Sequence, residues 1–310
     1  MNQVLLAANI STAFRNFLEE KHFEIVAPDA NGNGPSSQHD IKGIITSNRL
    51  ILDADALQKF PNLKWIARLG SGMEIIDTAY CDAHQIKYYS SPAGIANSVA
   101  EHAMGMLLSL LHNIHSSNNE IQNGQWIREP NRGIELEGLT VGIIGYGHTG
   151  TCFAQKLSAF TKRILVYDKY KTRFGNETIQ ECDVDTLQRE CDIISFHVPL
   201  NEETRHYYTD DFSSKMAKNH ILINTSRGAV ADTAAILKGL QSGKIIGACL
   251  DVLEEEKSIH QLFQTENHII KQLLRQNVIL TPHIAGYSHN AIEKMSDELM
   301  QQLKDNLILT

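Results

Sequence analysis

The stretch Leu139-Thr-Val-Gly-Ile-Ile-Gly-Tyr-Gly-His-Thr-Gly150 decides how this chain folds. An apolar run, Thr140–Ile144, leads straight into Gly145-x-Gly147-x-x-Gly150, and helix-forming sequence follows. Gly145 suits the tight turn, Gly147 lets the backbone approach a pyrophosphate, and Gly150 lets the helix lie close on the strand. The helix start, at His148 and Thr149, offers unpaired N–H groups and the positive end of a dipole to phosphate oxygens. A glycine turn of this kind also occurs in methyltransferases. Here the next apolar run, Arg163–Tyr167, ends in Asp168, 18 residues past Gly150. A carboxylate there accepts hydrogen bonds from adenine ribose hydroxyls and repels a 2′-phosphate, so NAD is the expected cofactor rather than NADP.

Outward from this turn the chain alternates short apolar strands with helical stretches. The first series is Val4–Ala8, Phe23–Ala27, Gly43–Thr46, Trp65–Leu69 and Ile86–Ser90, with helices over Ser11–Lys21 and Asp53–Phe60. Ser11 is placed to cap the first helix and Pro61 to stop the second. The Asn31–Ser37 stretch reads as a loop. The second series is Thr140–Ile144, Arg163–Tyr167, Ile193–His197, Ile221–Asn224, Ile245–Leu250 and Val278–Leu280. Such alternation predicts the α/β class, with two doubly wound parallel sheets. Between the series, apolar residues at helical spacing predict one long helix from Asn97 to about Asn119. The closing stretch Ser288–Leu309 reads as a helix returning to the first domain.

Composition narrows the partners. A chain of 310 residues suits two domains. The net charge of −8 opposes binding to nucleic acid and to anionic membranes. Five cysteines, none in a CxxC pair, argue against a metal site or a disulfide framework. A reduced, cytoplasmic chain is expected, because the amino terminus lacks the basic start and apolar core of a signal peptide. There is no run of 18 apolar residues to span a bilayer.

Three later segments carry chemistry: Asn224-Thr-Ser-Arg227-Gly228, Leu250-Asp251-Val-Leu-Glu-Glu-Glu256 and Leu280-Thr-Pro-His283-Ile-Ala-Gly286. Each starts at the C-terminal end of a predicted strand, the edge where open α/β sheets bind ligands. They supply a fixed cation, a carboxylate and an imidazole. His283 can exchange a proton with a hydroxyl or carbonyl oxygen near neutral pH. Glu256 would fix its tautomer. The fork of Arg227 can hold a carboxylate and polarise the neighbouring carbonyl. The set suits hydride transfer at C2 of a 2-hydroxy acid.

With these segments the chain resembles the D-isomer-specific 2-hydroxyacid dehydrogenase family. The resemblance extends over Gly70-Ser-Gly72-x-x-x-Ile76-Asp77, Asn97-x-Val99-Ala100-Glu101, the glycine turn, His197-Val-Pro-Leu200-x-x-Glu203-Thr204-Arg205 and the three segments above. It implies a flavodoxin-like substrate domain, 1–97 and 288–310, interrupted by a Rossmann-type NAD-binding domain, 98–287. It implies that Arg227, Glu256 and His283 are catalytic and that Asp251 contacts the nicotinamide carboxamide. His197, Val198, Thr225 and the run from His283 to Gly286 are implied to line the cofactor, and Ser71 and Gly72 to hold the substrate carboxylate. A homodimer formed through the inserted domain is implied as well.

Within the family the finer resemblance is to the phosphoglycerate dehydrogenase branch. It rests on Arg68 before Gly70, on Gly124-Gln-Trp126-Ile-Arg128, and on Gly133-Ile-Glu135-Leu-x-Gly138-x-Thr140. It implies 3-phosphoglycerate or 3-phosphohydroxypyruvate as substrate, in serine biosynthesis, with Arg49, Arg68 and Arg128 as further cations. The chain stops at Thr310, from which no regulatory domain is expected. Hydroxypyruvate, glyoxylate or another 2-oxo acid is the alternative, and an NAD-sensing corepressor-like binding protein a further one. Lys257 stands after Glu256 where the family usually has proline, and the run from Lys257 to Gln276 is longer than in many relatives.

Overall fold

The computed structural model describes residues 2–28, 38–48, 50–254, 256 and 268–306. The chain divides into two compact units, Met1–Ser98 with Gly286–Thr310 and Val99–Ala285. The loop expected at Asn31–Ser37, the candidate cation Arg49 and the run 257–267 lie outside the described residues. No helix among the described residues is long and apolar enough to cross a membrane.

Unit 1 holds five strands: β1 (Gln3–Ala7), β2 (Glu24–Val26), β3 (Ile41–Thr46), β4 (Trp65–Arg68) and β5 (Lys87–Ser90). All pair in parallel, in the order β2-β1-β3-β4-β5. The order reverses at β1, so the crevice beyond the carboxyl ends of β1 and β3 is the natural ligand position of this sheet. Ser11 caps the helix Thr12–Glu20 by accepting from Phe14 N, and the helix turns Phe14, Phe17 and Leu18 inward. The helix expected at Asp53–Phe60 is shorter: Asp53 caps it and it ends at Leu57, well before Pro61. The last helix, His289–Asp305, is capped by Ser288. Its buried face, Ala291, Met295, Leu299 and Leu303, packs with Val4, Phe14, Ile45 and Trp65 in one core cluster.

Unit 2 holds seven strands: β6 (Val141–Ile144), β7 (Ile164–Tyr167), β8 (Ile179–Glu181), β9 (Ile193–Phe196), β10 (His220–Asn224), β11 (Ile245–Leu250) and β12 (Val278–Leu280). They form one parallel sheet in the order β12-β11-β10-β9-β6-β7-β8. The first strand of the unit therefore lies inside the sheet, with the order reversing between β6 and β9, the dinucleotide-binding arrangement extended by one strand. Successive residues of one strand serve opposite faces. Val141, Ile143, Ile193, Ile221 and Ile223 enter one core, whereas Ile144, Ile194, Phe196, Leu222 and Leu250 enter the other. Burial on both faces explains the unbroken apolar runs, each large side chain contributing about 1.5–3 kcal/mol.

The helix expected over Asn97–Asn119 starts earlier, at Pro92, and stops at Leu111. Asn113 then takes a left-handed backbone, φ 53°, and a second helix follows over Ile114–Gln122. Asn tolerates that conformation better than most residues, so the break falls at a position whose apolar spacing gave no warning. Strand β8 was not foreseen, because in Ile-Gln-Glu only Ile179 is buried and no apolar run marks it.

Candidate active site

The glycine turn follows β6 as the sequence indicates. Gly145 has φ 96°, and a Cβ there would stand 2.5 Å from the His197 carbonyl oxygen. A Cβ on Gly150 would stand 2.0 Å from the Gly145 carbonyl oxygen, so the helix His148–Leu157 seats on the turn only with glycine at that place. Gly147 is different, since nothing lies within 4 Å of where its side chain would begin. Gly147 is also the N-cap and makes no side-chain cap, which leaves the helix start at His148 and Thr149 open to an anion.

Asp168 stands just past β7. Its Oδ2 accepts from Tyr146 N at 2.6 Å, and its Oδ1 accepts from Tyr170 N and Lys171 N, both at 2.9 Å. Partial burial pushes its pKa up, but these three backbone donors, with the Lys171 charge, outweigh burial and hold it below the usual carboxylate range. The charged form is fixed beside the glycine turn. The Thr225 hydroxyl, past β10, is buried and has no hydrogen-bond partner among the described residues. An open glycine, an uncapped helix start, a held carboxylate and this orphaned hydroxyl fit an NAD site. The His197 ring is turned inward: it is buried, bonded to Ser195 Oγ at 2.9 Å, and burial pushes its pKa down to about 4. Its backbone and half-buried Val198 are what this segment can offer a cofactor.

The three chemical segments follow β10, β11 and β12, adjacent parallel strands, and so share one sheet edge with the glycine turn. Asn224 shapes the first. Its Oδ1 accepts from Ser226 N and Oγ, and its Nδ2 donates to the Arg227 carbonyl. Gly228 lies so close to the Leu253 backbone that a Cβ would come within 2.1 Å, which locks the Arg227 turn against the second segment. Arg227 is partly buried, and its Nη1 donates to the Ser226 carbonyl at 2.7 Å.

Of the three consecutive glutamates, Glu256 is the one that meets His283. Its Oε2 lies 2.7 Å from His283 Nδ1, while its Oε1 accepts from Leu253 N at 3.0 Å. A carboxylate can only accept, so Nδ1 carries the proton and Nε2 is left to exchange one with a ligand. Glu254 is committed elsewhere, accepting from Thr233 N and Oγ1 and pairing with His206 at 2.6 Å. Glu255 lies outside the described residues. The Glu256 hydrogen bond pushes the His283 pKa up; burial and the Arg227 charge oppose it, and the Asp251 charge reinforces it.

The direction gives a test. If His283 is the proton donor that the resemblance implies, reduction of a carbonyl is retained at low pH and lost as pH rises through the raised pKa. Glu256→Gln is expected to move that loss to lower pH and to cut kcat by about 10–100-fold. A pH profile of kcat/KM unchanged from the wild type would remove Glu256 from the reaction.

Asp251, implied to contact nicotinamide, is buried at 1% exposure, and its carboxylate accepts from Thr281 Oγ1, Ile284 N and Ala285 N. Gly286 is the first residue of the second stretch of unit 1. In unit 1, Ser71 is exposed and Gly72 half-buried, beyond the end of β4. Arg68 is only 4% exposed, and its Nη2 donates to Asn48 Oδ1 at 2.7 Å. Its guanidinium lies beneath Gly70, 3.4 Å from where a Cβ would stand. Sequence reasoning gave no role to Asn224, Thr281, His102 or the His206–Glu254 pair. Asn224 and Thr281 lay inside the quoted segments, but nothing in their spacing told a turn-builder from a spacer.

The sequence pattern of the D-isomer specific 2-hydroxyacid dehydrogenase NAD binding domain matches residues 104–285. The chain is 34% identical over 288 residues to a glyoxylate reductase of Thermofilum pendens, covering 88% of this chain and 82% of that one. It is 31% identical over 297 residues to a D-3-phosphoglycerate dehydrogenase of Archaeoglobus fulgidus, covering 93% of this chain and 54% of that one. Among solved structures it is similar to a D-lactate dehydrogenase of Aquifex aeolicus complexed with NAD and lactic acid. That match has a TM-score of 0.84 and 29% identity, and covers 99% of this chain and 95% of the other.

Proposed function

The chain belongs to the D-isomer specific 2-hydroxyacid dehydrogenase family, and on that premise we propose that it transfers a hydride between NAD and C2 of a short, unphosphorylated D-2-hydroxy acid, with glyoxylate or hydroxypyruvate as the oxo partner. The observation that carries the reaction is the His283–Glu256 pair at 2.7 Å, with Arg227 near enough to act on the same imidazole. Bound NADH supplies the hydride. His283 gives the proton on Nε2 to the carbonyl oxygen, and Glu256 holds the resulting tautomer with Nδ1 protonated. Arg227 offers its fork to the carboxylate and the C2 oxygen, drawing charge onto the oxygen as the hydride arrives. In unit 1 the Ser71–Gly72 backbone offers N–H donors to a carboxylate.

The unphosphorylated reading is supported by the relatives named glyoxylate reductase and hydroxypyruvate reductase and by the setting of Arg68. Its guanidinium is buried, donates to Asn48 and packs under Gly70, so part of its donor capacity is spent on its own loop. A second reading, 3-phosphoglycerate and hence a place in serine biosynthesis, is supported by the Trp126–Arg128 and Gly133–Glu135 segments, which resemble the phosphoglycerate branch. NADH oxidation measured in parallel with glyoxylate, hydroxypyruvate and 3-phosphohydroxypyruvate separates the two. The first reading expects the higher kcat/KM with an unphosphorylated acid. Preference for 3-phosphohydroxypyruvate would replace it by the second, and tight NADH binding without turnover would point to an NAD-sensing binding protein.

We also infer a homodimer. The helix Ile114–Gln122 buries none of its residues, and Trp126 beyond it is 82% exposed, with Ile127 and Ile134 also exposed. An apolar run of this kind on one unit suits a second copy of the chain. Light scattering after size exclusion is expected to report a dimer, and Trp126→Asp to weaken it at low concentration. A wild-type monomer would remove the inference.

A further inference from the structure

We propose that Thr281 and His102 are positioning residues for hydride transfer: they orient the Asp251 carboxylate, which holds the turn that presents His283. The proposal rests on the reading of His283 as the proton carrier. His283 has a left-handed backbone, φ 55°, which costs a residue with a side chain more than it costs glycine and is offset here by the bonds the turn makes. Asp251 accepts three of them. Its carbonyl oxygen accepts from His283 N at 2.8 Å, its Oδ1 accepts from Ile284 N at 2.9 Å, and its Oδ2 accepts from Ala285 N at 2.8 Å. Three successive amides therefore converge on one residue, and the imidazole goes where that carboxylate sends the turn.

The carboxylate is itself oriented. Thr281 Oγ1 lies 2.5 Å from Asp251 Oδ1, and His102 Nε2 lies 3.0 Å from the same hydroxyl. A hydroxyl has one proton, and Asp251 as a carboxylate can only accept it, so Thr281 donates to Asp251 and accepts from His102 Nε2–H. The order is His102 to Thr281 to Asp251 to the His283 turn. His102 sits on the helix Pro92–Leu111, and Met106, one turn further on, brings its sulfur to 3.8 Å from the same hydroxyl. The His102 donor leaves the hydroxyl proton for the carboxylate, and the Met106 sulfur, which can only accept, is the weaker competitor for it. His102 Nε2 is 3.6 Å from Asp251 Oδ1, beyond hydrogen-bond reach, so it acts on the carboxylate through the hydroxyl. The charged groups that act on His283 are Glu256, Arg227 and Asp251. Of these, only Asp251 fixes the backbone of His283 as well as its field.

The test uses the full-length protein, the acid it turns over best, and variants that keep shape. Thr281→Val removes the hydroxyl at nearly constant volume and is expected to lower kcat by about 10–100-fold, the cost of a misplaced reacting group, with a smaller change in KM for NADH. Thr281→Ser restores the hydroxyl and is expected to restore kcat. His102→Leu is expected to lose part of kcat, and His102→Gln, whose amide can still donate, to regain it. The double variant His102→Leu/Thr281→Val is expected to be no worse than Thr281→Val alone, because the two act in series. The His283 ring, followed by NMR and assigned against His283→Gln, is expected to titrate at lower pH in Thr281→Val than in the wild type, because a displaced turn draws the ring off the Glu256 bond that raises its pKa. Wild-type kcat and an unmoved His283 titration in Thr281→Val would overturn the proposal, as would additive losses in the double variant or a loss confined to KM for NADH. If no acid is turned over, the proton-carrier reading fails by itself, and the NMR titration still decides the positioning role.

Discussion

His283→Ala is expected to lower kcat by about 10²–10⁴-fold, the range supplied by a positioned acid or base, while NADH binds as before. The reasoning is local. The imidazole is the group that the Glu256 bond and the Asp251 turn converge on, and its removal leaves the glycine turn and Asp168 untouched. Steady-state kinetics with the preferred acid and NADH fluorescence titration measure the two halves separately. Turnover retained within tenfold would mean that another group carries the proton. Loss of NADH binding would mean that the imidazole belongs to the cofactor site instead.

Arg227→Ala is expected to cost about 10²–10³ in kcat/KM, the magnitude found when a donor to a developing oxyanion is removed. Arg227→Lys is expected to recover little, because an ammonium is a point charge and cannot reproduce the fork. The pH dependence adds a sign check against Glu256→Gln. The Arg227 charge pushes the His283 pKa down, so its removal moves the loss of reduction to higher pH, whereas removal of Glu256 moves it to lower pH. Shifts in the same direction would contradict the arrangement. Full recovery by lysine would show that charge without geometry suffices.

The sheet and the glycine turn were legible because both follow from residue type at short range. Apolar runs such as Val141–Ile144 and Ile245–Leu250 mark strands buried on both faces, and Gly145 and Gly150 stand where a Cβ has no room. The break at Asn113 was not legible, since apolar spacing continues across it and one left-handed residue redirects the chain. The candidate catalytic group was legible as three segments, and the register of five residues past Asp251 picked Glu256 among three consecutive glutamates; its 2.7 Å approach to His283 is what the structure adds. Arg68 shows the converse. Its place before Gly70 drew it toward the substrate, and sequence carries no mark of its burial or of its bond to Asn48. His102 lies 179 residues before Thr281, and sequence carries no mark of that hydrogen bond.

Unit 1 is made of two stretches separated by the whole of unit 2, and one of its two core clusters needs both. During synthesis the strands β1 to β5 leave the ribosome long before the helix His289–Asp305 exists. Val4, Phe14, Ile45 and Trp65 must wait for Ala291, Met295, Leu299 and Leu303 to cover them. At ordinary rates of translation the wait is roughly 10–40 s. The cofactor-binding unit, continuous in sequence, has all its strands in hand first. The nascent chain therefore exposes an apolar sheet face while its neighbour folds. A chaperone that shields early β-sheet is expected to raise the yield of the full chain more than that of unit 2 expressed by itself.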